Sequence, residues 1–466
     1  MLAVISDLHF TDATTGDLNV RSSAFRIWMD ELCASATRQE ATELCIVLLG
    51  DIFDLIRTEA WLDESEQDRP WGSAQLLHNP NLLTARCREV AATIANNVAT
   101  RNRAALDVIS GRDPQVSSAL SSLGIPIRRV YLAGNHDRLY RLEPAVRKII
   151  DHALGIESDG EPRTCVTEPQ YGLVARHGHE FDVWNFERRD QQDWKTGHLP
   201  EAEDYLRTPI GDPITTELVA KIPRTVRNRL RGQGLDNETV EHVVKHIQRI
   251  EHVRPLHACI SWVLQAIEEL KESDCELQED QWDTVVETVE SSLRQVYDEF
   301  LELDYVKEWM SKHERLLTPF DDTDKLEAIG DFLRSGASLN LLQNLMALGE
   351  KLGINDGVSS LAKNAQLDPS ITDQIHYIAY GHSHVFAQRA MRVENRQEKV
   401  YFNSGTWRPR FVQADNHRDF VSWKEMSYLV YYGPDEDLIK GNAHRNKGVS
   451  FETWAGTKLK QNNRGS

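Results

Sequence analysis

Short apolar runs recur along the chain, and each is followed at once by polar residues. Runs of this length are typical of buried strands. Amphipathic stretches lie between the early runs and predict helices at Ala24–Thr37 and Ala85–Val98. Because strands alternate with helices, the pattern predicts a layered α/β architecture. The predicted strands are Leu2–Ile5, Leu44–Leu49, Ile127–Ala133, Leu173–Ala175, Ile375–Tyr380 and Val400–Phe402.

The pattern changes roughly between Asn185 and Gln374, where strand signals vanish and amphipathic helix dominates. Apolar residues from Trp282 to Leu303 alternate four-residue and three-residue steps, the spacing of a coiled-coil seam. We expect this seam to pack against Val240–Leu270, and we predict a further helical stretch at Lys325–Leu352. The predicted domains are a core of residues 1–184 and 376–440, an all-helical insert of residues 185–375 that is a cap or an interaction domain, and a polar tail of residues 441–466.

Composition narrows the class of protein. The 466 residues are 40% apolar and 27% charged, which excludes a disordered chain. The net charge of −19 opposes nonspecific binding to nucleic acid or to an anionic membrane. By count, residues 185–375 hold 37 acidic and 21 basic residues, so nearly all of the negative excess lies in the predicted insert.

The compartment follows from what the sequence lacks. No apolar run approaches the roughly 20 residues that a membrane span needs. The start of the chain has no signal-peptide pattern, and the six cysteines include no CxxC pair. We therefore expect a cytoplasmic protein with reduced thiols and no membrane partner.

Carboxylate, imidazole and amide side chains follow the predicted strands. Such ligands suit divalent ions such as Mn, Fe or Zn. Seven ligands are too many for one tetrahedral site, but they suffice for two ions if one carboxylate bridges them. Two ions roughly 3.5–4 Å apart form a clamp used in phosphoryl hydrolysis, and a water that bridges them becomes a good nucleophile. The seven residues are Asp7, His9, Asp51, Asn135, His177, His382 and His384.

Five short motifs occur in a fixed order: DLH, GDIFD, GNHD, HGH and GHSH. In this respect the chain resembles the calcineurin-like metallophosphoesterase superfamily. The resemblance covers about residues 1–184 and 376–410 and does not account for the insert. It implies a four-layer β-sandwich flanked by helices, with a dinuclear site at one edge. It also implies one ion on Asp7, His9 and His384, a second on Asn135, His177 and His382, and Asp51 as the bridge.

The resemblance also implies two catalytic residues. His136 would contact the phosphoryl group and protonate the leaving oxygen, and Asp54 would orient it, since a catalytic imidazole needs a partner that fixes its tautomer. Protein phosphatases of the superfamily typically have Arg where Leu55 stands and Glu where Asp137 stands. The UDP-diacylglucosamine pyrophosphatase branch usually has Arg in place of His136. The motifs are therefore closer to the nuclease and phosphodiesterase branches.

Six residues, one histidine and five arginines, are candidates for substrate contact. The histidine could contact substrate, support a metal ligand, or be a solvated surface side chain. Three arginines on one helical face could hold phosphates, be solvated, or pair with local acids. Two arginines after the last predicted strand could contact a phosphate. These residues are, in that order, His179; Arg224, Arg227 and Arg231; and Arg408 and Arg410.

Together, these features predict a metal-dependent phosphoesterase. We expect a phosphodiesterase or nuclease that cleaves a nucleotide or single-stranded nucleic acid through a metal-bridging hydroxide, with two Mn ions, or Fe or Zn, as cofactors. Three alternatives remain open. The chain could be a nucleotide or lipid pyrophosphatase, a phosphoprotein phosphatase, or an interaction module whose helical insert binds a protein partner or a second copy.

Overall fold

The computed structural model describes residues 1–16, 19–157, 160–189, 199–254, 259–272, 278–313, 357–394, 397–414, 420–436 and 448–458. The predicted α/β class is confirmed, and all six predicted strands are present with bounds close to those expected. The strands are β1 Leu2–Ile5, β2 Leu44–Leu49, β3 Ile127–Leu132, β4 Val166–Glu168, β5 Leu173–Ala175, β6 Val253–Arg254, β7 Tyr377–Tyr380, β8 Phe386–Glu394, β9 Gln397–Ser404, β10 Pro409–Gln413, β11 Phe420–Tyr432 and β12 Ser450–Lys458.

The strands form two mixed sheets. The first has the order β3-β2-β1-β11-β10-β6, and β12 pairs with β11. The second has the order β4-β5-β7-β9-β8. Strands β1, β2 and β3 are parallel to one another, as are β5, β7 and β9. The carboxyl ends of each parallel group therefore meet at one edge of its sheet, where ligands of α/β proteins usually bind.

The helices include the two that the sequence predicts near residues 24–37 and 85–98. A π-helix at Ile214–Ala220 runs directly into the helix that begins at Lys221. Short 3₁₀ turns occupy much of residues 59–82. In the described chain, the α-helices of four or more residues are α1 Ser22–Arg38, α2 Ala85–Arg101, α3 Arg103–Ile109, α4 Pro114–Ser122, α5 Leu139–Leu142, α6 Pro144–Leu154, α7 Lys221–Gly232, α8 Asn237–Ile247, α9 Cys259–Glu272, α10 Glu279–Glu302, α11 Asp304–His313 and α12 Gly357–Ala365.

The two sheets pack face to face. Leu2 and Val47 of the first sheet share one apolar cluster with Ala175, Ala379 and Phe402 of the second. The other face of the first sheet is covered by helices α1 to α4 and α6, and the other face of the second sheet by α12. Since apolar faces are buried on both sides, the strands carry the continuous hydrophobic runs seen in the sequence.

The name helical segment is used here for residues 199–254, 259–272 and 278–313, which make up most of the described part of the predicted insert. Its apolar residues join the cluster on the outer face of the first sheet, so the two share a core. The seam on α10 is buried as expected, but its main partner is α7. The expected pairing with Val240–Leu270 is wrong, because a heptad pattern marks a buried stripe without specifying what covers it. The predicted helix at Lys325–Leu352 lies outside the described residues.

Two boundary predictions need correction. The predicted insert is not all-helical, because β6 pairs in parallel with β10, with Val253 opposite Phe411. The predicted polar tail contains β12, which pairs with β11 along its whole length, from Tyr432↔Ser450 to Lys424↔Lys458. Neither strand produces a hydrophobic pattern, since β6 has only two residues and β12 is largely polar. In the described chain, no helix has the length and apolar character of a membrane span.

Candidate metal centre

The loops after β1, β2, β3, β5 and β7 bring the seven predicted ligands to one edge of the layered sheets. All of them except Asn135 belong to groups of three donors in which the donor atoms lie within 4.8 Å of one another. One group is the predicted first set, a second joins both histidines of the second set to Asp51, and a third joins His9 and Asp51 to His136. The groups are Asp7, His9 and His384; Asp51, His177 and His382; and His9, Asp51 and His136.

Asp51 lies between the two predicted sets. Its Oδ2 is 3.6 Å from Nε2 of His9 and 3.3 Å from Nε2 of His177. Its Oδ1 accepts a hydrogen bond of 2.8 Å from the backbone N–H of His136. A single buried carboxylate is therefore shared by both sets, as a bridging ligand would be.

In the first set, the imidazoles of His9 and His384 face each other. Their Nε2 atoms are 3.0 Å apart, and Nε2 of His384 is 3.3 Å from Oδ1 of Asp7. Nδ1 of His9 donates to Oδ2 of Asp54 over 2.9 Å. This bond leaves Nε2 of His9 free of its proton and suited to bind a cation.

In the second set, each ligand is held through its other polar atom. Nδ1 of His177 donates to the Leu49 carbonyl over 2.8 Å, so its Nε2 faces the cluster. The amide nitrogen of Asn135 donates to Asn185 over 3.1 Å. Nε2 of His382 is 2.8 Å from Oδ2 of a further acid, Asp182. Such outer bonds are the usual means of orienting metal ligands.

Several buried polar atoms in the cluster make no hydrogen bond in the described structure. They are Oδ1 of Asp7, Oδ1 of Asn135 and Nε2 of His177. Leaving such atoms unpaired is unfavourable unless something else binds them. All belong to predicted ligands, and carboxylate oxygen, amide oxygen and imidazole nitrogen are donors that divalent Mn, Fe or Zn accepts. The residues present therefore fit a metal centre.

Charge supports the same interpretation. Burial lowers the pKa of His177, but the carboxylates of Asp51 and Asp7 outweigh this effect and raise it to about 10. Burial raises the pKa of Asp51, but His177, His136 and His9 hold it well below its usual value. Burial, assisted by the Asp51 carboxylate, raises the pKa of Asp7 to about 6. The cluster thus attracts positive charge, whether a proton or a metal ion.

The backbone of these loops is strained. Five predicted ligands have φ between 45° and 69°, the left-handed region that residues other than glycine seldom adopt. In the described chain, only Ala13 and Glu40 share this feature among the non-glycine residues. Strained backbone tends to cluster at functional sites, where the surrounding structure holds it in place. The five are Asp7, His9, Asp51, His382 and His384.

Small residues let these loops approach closely. A Cβ on Gly134 would lie 2.2 Å from Oδ1 of Asp51 and 2.7 Å from Nε2 of His177. A Cβ on Gly381 would lie 2.7 Å from Oδ2 of Asp7. The glycines of the GNHD and GHSH motifs therefore make room for the predicted ligands themselves.

The predicted catalytic pair lies beside the cluster. Nδ1 of His136 donates to Oδ1 of Asp54 over 3.0 Å. The His136 side chain is 16% exposed, whereas that of His9 is 1% exposed. Burial raises the pKa of Asp54, but Arg57 and His136 hold it well below its usual value, so it is a carboxylate. His136 is thus both oriented and accessible.

The sequence interpretation missed four residues that support the site. Arg57 forms an ion pair with Asp54. Asp137 accepts hydrogen bonds from the backbone of Gly134 and Ile52 and from the Tyr131 hydroxyl, so it holds the GNHD loop to the loop that follows β2. Its place inside the motif was a signal that could have been used. The other two, Asp182 and Asn185, follow the HGH motif and contact the second set.

The candidates for substrate contact are mostly engaged elsewhere. His179 is 4% exposed and packs between His177 and the rings of Phe186 and Tyr205, so the surface alternative is wrong. Arg410 pairs with Glu425. Arg408 is buried and donates to the His9 carbonyl over 2.8 Å, which places it behind a ligand loop.

The three helical arginines pair with acids, as one of the alternatives held. Arg224 pairs with Asp63, and Arg227 with Glu59. Both Arg227 and Arg231 contact a further acid, Glu241. These ion pairs favour the alternative of pairing with local acids over a phosphate-binding strip, because neighbouring carboxylates already offset the charge of the arginines.

A comparison of the chain with models of known protein families, and another with curated proteins, found no match.

Proposed function

We propose that the chain is a dinuclear metal-dependent phosphoesterase, and that its paired sheets form a sandwich of the calcineurin-like metallophosphoesterase type. The observation that carries the proposal is the sharing of Asp51 by two sets of ligands, with the His136–Asp54 pair beside them. A structural cluster of buried histidines has no need of this arrangement. The unpaired buried atoms of Asp7, Asn135 and His177 support the same proposal.

In this proposal one ion is held by Asp7, His9 and His384, and the other by Asn135, His177 and His382. Asp51 would contact both. Manganese is the first choice, with iron or zinc as alternatives. When bound, the two ions would lower the pKa of a water and neutralise charge on the phosphoryl oxygens.

The protein's own residues would complete the reaction. Asp54 holds the proton of His136 on Nδ1, so Nε2 is the atom that faces a substrate. His136 would give a proton or hydrogen bond to the leaving oxygen through Nε2. Burial lowers the pKa of His136, but Asp54 and Asp51 outweigh this effect and raise it, which favours the proton-donating form.

A phosphodiester of a nucleotide or of single-stranded nucleic acid is the proposed substrate. The GDIFD and GNHD motifs and the presence of His136 support it over the pyrophosphatase and phosphoprotein alternatives. The helical segment would act as a cap, because Asp212 and Thr208 in it bind Arg138, two residues after the catalytic histidine. The acidic composition of the insert disfavours long duplex DNA.

The proposal is tested by loading the full chain with Mn²⁺ and measuring the metal by elemental analysis. Hydrolysis of bis-p-nitrophenyl phosphate is then compared with that of p-nitrophenyl phosphate, followed by cyclic nucleotides, single-stranded oligonucleotides, nucleotide pyrophosphates and a phosphopeptide. We expect two ions per chain and preference for diesters. A chain that binds no metal and cleaves none of these compounds would refute the proposal.

A further inference from the structure

A short turn from Asp182 to Asn185, the 182–185 turn, contacts two predicted ligands of the second ion. Oδ2 of Asp182 is 2.8 Å from Nε2 of His382. Oδ1 of Asn185 accepts a hydrogen bond of 3.1 Å from the amide of Asn135. The turn is closed on itself, since the Asn185 amide donates to Oδ2 of Asp182 over 2.8 Å and its backbone N–H to the Asp182 carbonyl over 3.1 Å.

We infer that the 182–185 turn is a positioning device for the second ion, because it decides which atoms of Asn135 and His382 are presented to it. The inference rests on the proposed function. Asp182 and Asn185 act through the two ligands, and they are not themselves assigned to the metal.

The amide of Asn135 shows how this works. An asparagine can present either its oxygen or its NH₂ group, and only the oxygen can bind a cation. Because Oδ1 of Asn185 accepts from the NH₂ group, the oxygen of Asn135 is turned the other way. That oxygen is buried and makes no hydrogen bond in the described structure. Asn185 therefore fixes the orientation that a ligand requires.

The imidazole of His382 is controlled in the same way. A carboxylate beside Nε2 keeps the proton on that nitrogen, which leaves the lone pair on Nδ1. The carboxylate also makes the imidazole a stronger ligand. Since Oδ2 of Asp182 bonds to both His382 and Asn185, one oxygen atom sets the orientation of both ligands.

The helical segment supports the back of the turn. The backbone N–H of Gly211 donates to the Trp184 carbonyl over 2.7 Å, and the Trp184 ring stacks on Trp309 at 5.8 Å. A Cβ on Gly211 would lie 2.5 Å from Oδ1 of Asn185. The helical segment is thus in direct contact with the atom that orients Asn135, and its packing should influence how well the second ion is held.

The test measures Mn²⁺ binding to the full chain by isothermal titration calorimetry, after removal of metal. The variants are Asp182→Asn, Asn185→Ala and Gly211→Ala. Asp113→Asn is the matched control, since Asp113 is a buried carboxylate that caps α4 and pairs with Arg26. We expect the first two variants to lower the affinity for one of the two Mn²⁺ ions by about 10–100-fold, which is the usual effect of removing a residue that hydrogen-bonds to a metal ligand. Gly211→Ala should act in the same direction, and Asp113→Asn should bind both ions normally.

Repeating the measurement in a variant that binds only one ion shows which of the two ions is affected. His384→Ala removes a ligand of the first set only, so this variant should retain one ion, and adding Asp182→Asn should weaken the binding of that ion by about 10–100-fold. Circular dichroism in EDTA verifies that each variant is folded. Wild-type affinity for both ions in Asp182→Asn and Asn185→Ala, or equal weakening of both ions, overturns the inference and leaves the proposed function intact. A wild-type chain that binds no Mn²⁺ overturns both.

Discussion

His136 and Asp54 are joined by a hydrogen bond of 3.0 Å between Nδ1 and Oδ1. The other oxygen of Asp54 accepts from Nδ1 of His9 over 2.9 Å. One carboxylate, itself paired with Arg57, therefore orients both a proposed proton donor and a proposed metal ligand. Because of this double role, substitution of His136 should affect turnover alone, whereas substitution of Asp54 should affect both turnover and metal binding.

His136→Ala should lower turnover of a diester by about 10²–10⁴, the usual size of an acid–base contribution. Metal content should stay at two ions, since His136 belongs to neither predicted set. Elemental analysis and steady-state kinetics measure the two quantities, and the exposed His152→Ala serves as control. Because His136 also lies in the group with His9 and Asp51, loss of an ion would mean that it is a ligand.

Asp54→Asn should lower turnover and also weaken the ion of the first set. The amide keeps the size of the side chain but removes the charge that holds the proton of His9 on Nδ1. We expect a loss of about 10–100-fold in affinity for one Mn²⁺, measured by calorimetry. Normal metal binding combined with reduced turnover would show that Asp54 acts only by orienting His136.

Asp51→Asn should reduce the metal content below two ions per chain. The carboxylate is the only predicted ligand shared by both sets, and an amide cannot replace its charge. Elemental analysis after dialysis, together with the diester assay, provides the measurement. Full activity with two ions still bound would show that Asp51 is not the bridge.

Gly134→Ala should impair metal binding although no ligand is changed. The added methyl group would lie 2.2 Å from Oδ1 of Asp51, so the loop or the carboxylate must shift. Gly232→Ala is the matched control, because nothing lies within 4 Å of a Cβ there. Calorimetry with Mn²⁺ compares the two proteins. Equal affinity would indicate that the loop relaxes without disturbing Asp51.

Arg224→Ala and Arg227→Ala should leave the KM for a single-stranded oligonucleotide within about twofold of the wild-type value. Both side chains are paired with acids, and such partly exposed pairs contribute about 0–1 kcal/mol to stability. Steady-state kinetics at low ionic strength gives the comparison. A large rise in KM would show that these arginines do contact substrate phosphates.

The sequence predicted the bounds of strands best where a strand is buried on both faces of its sheet. The bounds of β1, β2 and β5 match the predicted runs, because those strands are buried throughout. The predicted ligands follow such strands, so their gathering at one edge was predictable. Strands β6 and β12 were missed, since a two-residue bridge and a polar strand carry no hydrophobic signal.

The support of the site was harder to foresee than its ligands. Asp182 meets His382 across 200 residues of chain, and Asn135 meets Asn185 across 50. Neither contact follows from a spacing rule, because the three-dimensional packing of the loops sets it. The same limit applies to the arginines of α7, whose acidic partners lie mostly in the 3₁₀ region around Glu59.

At the five predicted ligands with left-handed backbone, stability of the fold and the proposed function are opposed. Residues other than glycine in this conformation cost of order 1–3 kcal/mol each, less for Asp and His, which tolerate it better. Replacing Asp7 or Asp51 with glycine would relieve that strain and remove a buried charge. Under the proposed function, a selection for heat resistance alone would therefore favour glycine at these positions and the loss of metal binding, so directed evolution of this chain needs a functional screen at every round.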